Sequence, residues 1–406
     1  MLIDFSVTNY RSIKDKQTFS MQPIKRIDEL PEHIIQNGKH SALSSAIIYG
    51  RNASGKSNLL KAFFALIEII HESYKNNFEE KIKQYEPYKL NLENAEQSID
   101  FEINFVAKDN IQYHYQISFS EKEILKEVLL SYPNGRETKL FLRETEKPIT
   151  FGKNVKGKSI EDNLYSNQSF LSKIGSNKIE TLLPAYQFLS SLSYSSPFLY
   201  AVQRVGNFIG LDKEPINRNI IKLLKSVDTN IIDIFEEEKE ETGWFNRRKI
   251  FTEHVVFKDN TKIGSTFFLL EEESEGTQRL VSIGGEILKT LNNGNVIIID
   301  EFHESLHPLL TKTLINLFHN PKTNPNGAQL IFATHDVSLL DNELFRRDQI
   351  WFSEKGNDGA STYYSLADLK GIRAGVPLEK YYLKGAFGAT PIINEHDLVF
   401  NFGEKK

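Results

Sequence analysis

Residues 50 to 57 read Gly-Arg-Asn-Ala-Ser-Gly-Lys-Ser, standing between an apolar run, Ala46 to Tyr49, and an apolar stretch from Leu59 to Ile70. This G-x-x-x-x-G-K-[ST] order restricts the chain to folds in which a buried strand empties into a glycine-permissive loop that opens a helix. Such a loop turns backbone N–H groups towards phosphate oxygens, and the helix N-terminus adds partial positive charge. Gly50, Arg51, Asn52, Ala53, Ser54, Gly55, Lys56, Ser57 and Asn58 are therefore the expected cradle for a nucleoside triphosphate. Lys56 is suited to reach the β- and γ-phosphates, and the Ser57 hydroxyl to ligate Mg²⁺.

The second half of the chain supplies matching parts. Asn295 to Ile299 is a run rich in β-branched residues that ends in Asp300 and Glu301, the pattern of a parallel strand buried on both faces. Ligands of open α/β sheets bind at such carboxyl ends. Asp300 is then expected to hold Mg²⁺ through its water shell, and Glu301 to orient and deprotonate the attacking water. A second apolar run, Gln329 to Ala333, ends in Thr334-His335-Asp336, and His335 is the candidate γ-phosphate sensor. Between the two halves lies Ser274-Glu275-Gly276-Thr277-Gln278-Arg279, followed by Leu280, Ile283, Ile287, Leu288 and Leu291 at helical spacing. Ser274 reads as the N-cap of that helix, and Ser274, Gly276 and Thr277 as a second anion-binding end. One chain does not easily present two helix N-termini to one γ-phosphate from opposite sides, whereas a dimer does.

Composition narrows the class further. Among 406 residues, 54 acidic against 49 basic side chains give a net charge of −5, unlike a protein that coats nucleic acid, although a local basic strip could still meet a phosphate backbone. The absence of cysteine excludes disulfides, thiol nucleophiles and thiolate metal sites and suits a reducing cytoplasm. Leu59 to Ile70 is interrupted by Lys61 and Glu68 and is too short to span a bilayer; Met-Leu-Ile-Asp-Phe is not a signal peptide. The expectation is a cytoplasmic protein with no membrane partner. The pattern His303-Glu304-Ser305-Leu306-His307 matches the H-E-x-x-H of zinc peptidases, but it leaves a strand end and Pro308 biases His307 away from helical geometry. It reads instead as a turn, with Pro308 opening the next helix.

The long interval between Ser57 and Ser274 lacks the sustained heptads of a coiled coil. Ser98 to Val106 and Ile111 to Phe119 alternate around Lys108-Asp109-Asn110 and predict an antiparallel hairpin, with further strands at Ile124 to Ser131 and Lys139 to Arg143. Asn163 to Ile174, Ile179 to Ser193 and Pro215 to Val227 have helical spacing. The acidic run Glu236 to Glu241 gives way to Trp244, Phe245 and Arg247-Arg248-Lys249, a solvated connector by its charge pattern, leading to a strand at Val255 to Lys258. The predicted organisation is an N-terminal ATPase part over 1–155, a helical insertion over 156–240 and a C-terminal ATPase part over 241–406.

The order of phosphate loop, Ser-x-Gly-Thr segment, Asp-Glu strand end, Ser305-Leu306-His307-Pro308 and Thr334-His335-Asp336 resembles the ABC-type ATPase heads of the RecF/SMC group. Asn9-Tyr10-Arg11-Ser12-Ile13, Glu273 to Arg279, and Tyr382-Leu383-Lys384-Gly385-Ala386-Phe387-Gly388-Ala389 resemble short bacterial phage-defence ATPases, the AriA type of PARIS systems and the ATPase half of OLD-family nucleases. The resemblance covers residues 1 to about 75 and about 250 to 395. It implies an α/β, two-lobed ABC-type P-loop ATPase head of SMC/RecF-like form, with an antiparallel β lobe and a helical insertion. It further implies ATP and Mg²⁺ as cofactors, Arg11 near the nucleotide, and slow hydrolysis in an ATP-sandwich dimer or higher oligomer. In that sandwich Ser274 and Gly276 of one copy close over ATP held by the other. A role in abortive-infection defence, governing a separate nuclease or toxin in answer to a phage-encoded trigger or DNA, is the leading expectation. A RecF-like repair factor binding DNA ends or gaps, and a scaffold whose ATP is structural, are the alternatives. The signature here is Ser-Glu-Gly-Thr-Gln where SMC proteins have Leu-Ser-Gly-Gly-Glu, and either Gln84 or Gln97 could serve as a Q-loop glutamine. No nuclease half of the OLD type is expected after His335.

Overall fold

The computed structural model describes residues 1–153, 155, 161, 163–177, 179–196, 214–227, 230–237, 249–372 and 375–390. Two sheets with a helix clamped between them set the architecture. The first is a seven-stranded antiparallel sheet, in the order β10-β9-β8-β7-β6-β1-β2. Its strands are β1 (Leu2–Thr8), β2 (Gln17–Ser20), β6 (Ile99–Val106), β7 (Gln112–Phe119), β8 (Ile124–Ser131), β9 (Thr138–Glu144) and β10 (Thr150–Phe151). Alternation produces it: on β6, Ile99, Phe101, Ile103 and Phe105 are buried while the residues between them are partly exposed. The hairpin read around Lys108-Asp109-Asn110 forms with Ile99 opposite Phe119 and Val106 opposite Gln112. Between β2 and the next long strand a short hairpin, β3 (Ile34–Asn37) with β4 (His40–Leu43), stands by itself.

The second sheet has the order β11-β15-β16-β5-β17-β18, from β5 (Ser45–Tyr49), β11 (Ser193–Ser195), β15 (Val296–Ile299), β16 (Gln329–Ala333), β17 (Ile350–Lys355) and β18 (Ser361–Ser365). All neighbours are parallel except the β17–β18 pair. Its central strands are covered on both sides. Ile48, Ile298, Ile331 and Ala333 join one core with the seven-stranded sheet. Ile47, Tyr49, Ile297, Ile299, Leu330 and Phe332 join the other. That double burial is why these runs are continuously apolar. Helix α1 (Lys56–Glu72) fills the space between the sheets, with Leu59, Leu60, Phe63, Leu66, Ile69 and Ile70 in the first core. A single turn, α2 (Leu92–Ala95), precedes β6.

The middle of the chain supplies α3 (Phe170–Asn177), α4 (Leu183–Ser190) and α5 (Glu214–Lys225). The first two pack on α1, and Phe170, Leu171, Ile174, Ala185 and Leu189 enter the first core. Helical spacing over Ile179 to Ser193 runs past the true end of α4, because Ser193–Ser195 is an edge strand paired with β15. Parallel pairing there is fixed by a neighbour a hundred residues away, which periodicity cannot report. Glu127, fully buried on β8, accepts hydrogen bonds from Tyr115 Oη, Ser169 Oγ, and the amides of Phe170 and Leu171, fastening the start of α3 to the antiparallel sheet. Arg143 lies 3.7 Å away and donates to the carbonyls of Tyr165, Ser166 and Gln168.

A third sheet, β12 (Ile231–Glu237), β13 (Lys249–Lys258) and β14 (Thr261–Leu269), leads into α6 (Glu275–Asn293). The strand expected only at Val255 to Lys258 thus begins at Lys249, and residues 238–248, with Trp244, Phe245 and the acid-to-base switch, lie outside the described residues. Helices α7 (Pro308–His319) and α8 (Leu378–Leu383) complete the second core. This is the two-lobed ABC-type P-loop head with an antiparallel β lobe; no long coiled coil occurs among the described residues. Nor is any described helix long and apolar enough to cross a membrane.

Candidate functional site

Parallel pairing of β15, β16 and β5 brings their carboxyl ends side by side, so three sequence segments far apart in the chain meet at one edge. The phosphate loop follows β5, Asp300 and Glu301 follow β15, and His335 follows β16. Lys56, Ser57 and Asn58 form the first turn of α1; the Asn58 amide donates to the Gly55 carbonyl at 2.9 Å, while the amides of Lys56 and Ser57 have no intrahelical acceptor. Lys56 curls back, donating from Nζ to the Gly50 carbonyl at 2.8 Å. Gly55 caps the helix at φ 110°, a conformation strained for any side chain, and an added Cβ would overlap Ser361 Oγ. Ala53 takes a left-handed φ of 62° at the loop's exposed tip.

The loop is braced by Ser12, from the Asn9 to Ile13 segment, and by β17 and β18 residues for which the sequence offers no motif. Ser54 Oγ is 2.5 Å from Ser353 Oγ on β17. Ser361 Oγ on β18 lies 2.7 Å from the Ser54 carbonyl oxygen and 2.7 Å from Ser12 Oγ. Tyr363 Oη donates to the Gly55 carbonyl at 2.7 Å, Asn58 Nδ2 to Ser12 Oγ at 2.7 Å, and Arg51 to the Lys355 carbonyl at 3.2 Å. Only serines and a tyrosine at alternate positions of the β17–β18 hairpin hint at this in sequence. Their common target is a property of the pairing of β17 with β5.

Ser57 Oγ and Asp300 Oδ1 are 3.2 Å apart. The Ser57 hydroxyl donates to Asp300 across this gap, so Ser57 would offer its oxygen to Mg²⁺ while the Asp300 carboxylate beside it would hold the ion through its water shell. No cluster of three or more His, Cys, Asp or Glu able to hold a metal occurs among the described residues. A hydroxyl and a carboxylate completed by phosphate oxygens and water is the arrangement on offer. Burial raises the Asp300 carboxyl above its ordinary value, against the hydrogen bond from Ser57. The H-E-x-x-H segment holds no zinc geometry: His303 Nδ1 is 2.9 Å from Thr334 Oγ1, while His307 caps α7 by accepting from the Leu309 amide.

Glu301 stands in left-handed backbone at φ 50°, a conformation costing about 1–3 kcal/mol for a residue of this kind. Such strain persists only where the surroundings over-determine it. Here the Phe302 amide donates to Ala333 O at 3.1 Å, and Arg279 of α6 reaches the Glu301 carbonyl at 3.4 Å. The result points the carboxylate at two histidines, His335 Nε2 at 3.4 Å and His303 Nδ1 at 3.7 Å. Burial would raise the Glu301 carboxyl, but His335, His303 and Lys56 outweigh it and hold it below the ordinary carboxylate value. Burial also lowers the His303 imidazole and takes the Lys56 ammonium from 10.5 down to about 8.

The remaining expected residues lie elsewhere. Ser274 is the N-cap of α6, accepting from the Thr277 amide at 3.1 Å, and is exposed. Gly276 approaches the backbone after Glu301: a Cβ there would sit 3.1 Å from the Ser305 carbonyl oxygen. Among the described residues no hydrogen bond or ion pair joins Ser274, Gly276 or Thr277 to residues 50–58. Glu273 is fixed from β13, by a hydrogen bond from Thr252 and by His254 Nε2 at 2.6 Å. Arg11, at φ 51°, is bound by Glu86. Of the two candidate glutamines, Gln84 donates to Glu68 at 3.1 Å, and the Gln97 carbonyl accepts from Asn9 and Tyr85.

Likeness to solved structures is broad and shallow. An SMC head domain from Thermotoga maritima is 13% identical, with 90% of this chain and 98% of that one covered at a TM-score of 0.40. An Smc head domain with a coiled coil and joint from Pyrococcus yayanosii is 10% identical, covering 95% and 99% at 0.44. The recombination mediator RecF with ATP is 16% identical, covering 89% and 97% at 0.39. With TM-scores below 0.5, the fold assignment rests on the strand order and loop placement above. No curated protein matches the chain. A family model matches residues 45–341, well over half of the sequence and all three segments of the site. The chain belongs to the P-loop ATPase family described as "AAA domain, putative AbiEii toxin, Type IV TA system".

Proposed function

We propose that this chain binds MgATP at the carboxyl edge of its central sheet and hydrolyses it slowly across a dimer, as the cytoplasmic sensor or scaffold subunit of an anti-phage system of the abortive-infection type. A separate toxin or nuclease is the effector it controls. The observation that carries the ATPase reading is the meeting of Ser57–Asp300 with Glu301–His335 on neighbouring parallel strands. The family's link to a toxin–antitoxin system supports the defence setting.

Each residue has a task that its surroundings suit. Loop amides and Lys56 cradle the β- and γ-phosphates, Ser57 offers its oxygen to Mg²⁺, and Asp300 holds through its water shell the same ion, which when bound neutralises charge on the phosphate oxygens. Glu301, kept ionised, accepts a proton from the attacking water, and His335, 3.4 Å from that carboxylate, is the residue assigned to sense the γ-phosphate. Ser274, Gly276 and Thr277 are exposed or half-exposed at the end of α6, open to ATP held by a second copy. Arg279 couples this end to Glu301 through the Glu301 carbonyl, so closure of the second copy is felt at the base.

The test is the mass and composition of complexes formed by Glu301→Gln with ATP, co-expressed with the genes flanking its own. The expected result is a discrete assembly that contains two or more copies and a nuclease or toxin subunit. A bare dimer retaining DNA would overturn the defence reading in favour of a repair factor.

A further inference from the structure

The residue in front of Ser274 is held more firmly than the helix it precedes requires. Helix α6 is already seated by Leu280, Val281, Ile283, Ile287 and Leu291 in the second core. Along Glu271 to Glu275 the first two and the last two residues are exposed, whereas the Glu273 side chain is only 10% exposed. A carboxylate turned inwards costs free energy unless its oxygens find partners. Thr252 and His254, two residues apart on one face of β13, meet it at a single atom. The hydroxyl of the fully buried Thr252 donates to Glu273 Oε1, and His254 Nε2 lies 2.6 Å from the same oxygen. A carboxylate only accepts, so Nε2 carries the hydrogen. The His254 ring stands at a right angle to Phe268 of β14, with centroids 5.0 Å apart.

The main chain is fastened at the same point. Gln278 Nε2, one turn into α6, donates to the Glu273 carbonyl at 2.8 Å and to the Glu271 carbonyl at 3.3 Å, and the Gln278 amide donates to the Ser274 carbonyl at 3.0 Å. Glu273 is therefore tied to β13 by its side chain and to α6 by its carbonyl, and its peptide leads directly into the N-cap. Loss of the carboxylate would leave the apolar stripe of α6 seated and release only the first turn, where Ser274, Gly276 and Thr277 lie.

We infer that Glu273 is a positioning residue for the nucleotide of the other copy: its latch to Thr252 and His254 sets where Ser274 and Gly276 stand when they close over ATP held by the second chain. It touches no ligand itself and leaves its own phosphate loop unaltered. The inference rests on the dimer reading above.

The experiment is subunit mixing on the full chain, with phosphate release, the Kd for MgATP and the thermal midpoint read for each variant. Glu273→Ala is expected to bind MgATP within about twofold of wild type and to lose at least about tenfold in turnover, the cost of a charge-assisted contact felt only on closure. Glu273→Gln, which keeps an accepting oxygen, is expected to lose less. His254→Ala combined with Glu273→Ala is expected to be no slower than Glu273→Ala alone, because the two act as one unit. Lys56→Met holds no ATP but has an intact α6 end. Mixed one to one with Glu273→Ala, it is expected to bring turnover back to about a quarter of wild type per chain, since half of randomly paired dimers are mixed and each has one whole site of two. Ser274→Arg, exposed in its own chain, is the control for the same mixing. Undiminished turnover in Glu273→Ala, a loss of its ATP binding, or recovery with Ser274→Arg but none with Glu273→Ala would each overturn the inference. Recovery in neither mixture would instead remove the shared-site dimer on which it rests, a separate and distinguishable failure.

Discussion

Lys56 offers a sharp test because its burial makes opposite demands on binding and on stability. In the empty site its ammonium is taken from 10.5 to about 8 by desolvation, with Glu301 and Asp300 pulling the other way. Only the charged form serves phosphate, so ATP affinity should be flat up to about pH 8 and then fall about tenfold per pH unit, until the bound state itself titrates. The stability of the empty protein should move the other way. Between pH 8 and 10.5 the unfolded chain holds a proton at Lys56 that the folded one has lost, so this group adds stability as pH rises, about 3 kcal/mol over the window. Below pH 8 both states are charged and neither quantity changes on its account. The assay is a fluorescent-nucleotide titration from pH 7.5 to 9.5 beside denaturant unfolding of wild type and Lys56→Met. Subtracting the variant removes other lysines and tyrosines that titrate nearby. An ATP Kd that stays flat to pH 9.5, or pH–stability curves that run parallel, would refute the claim that Lys56 lies poised in a desolvated loop.

Three further outcomes follow from the geometry. Glu301→Gln should keep ATP binding while turnover falls by roughly 10²- to 10⁴-fold, read by phosphate release; wild-type turnover would remove Glu301 from its role as base. Gly55→Ala should abolish ATP binding and cost more than about 1 kcal/mol, since alanine meets both a forbidden φ and Ser361, with calorimetry and titration as the checks. Glu127→Ala should destabilise by about 3–5 kcal/mol, because it strips a buried carboxylate from Arg143, Tyr115 and the start of α3. A denaturant midpoint within error of wild type would show that the α3 attachment is redundant.

Much of the site was legible because the chemistry is local. A strand, a loop and a helix N-terminus are consecutive in Ala46 to Ile70, so the phosphate cradle needed no tertiary knowledge, and Pro308 sufficed to separate His303 from His307. The hairpin at Ile99 to Phe119 was readable for the same reason: its partners are neighbours and one face is buried. What escaped reading depends on distant partners. Ser353, Ser361 and Tyr363 are ordinary strand residues until β17 pairs with β5, and Ser193 to Ser195 looks like a helix end until β15 lies beside it.

The sequence by itself determined that a buried strand opens into a phosphate loop, that acids end one strand and a histidine another, and that Ser274 caps a helix. These follow from propensity and period, properties a segment carries wherever it lies. Tertiary structure alone decided that Asp300 stands 3.2 Å from Ser57, that Glu301 is bent into left-handed backbone towards His335, and that Arg11 is held by Glu86. Each of these depends on parallel strand order and long-range packing, where a shift of one residue in register would turn the same side chains to the opposite face.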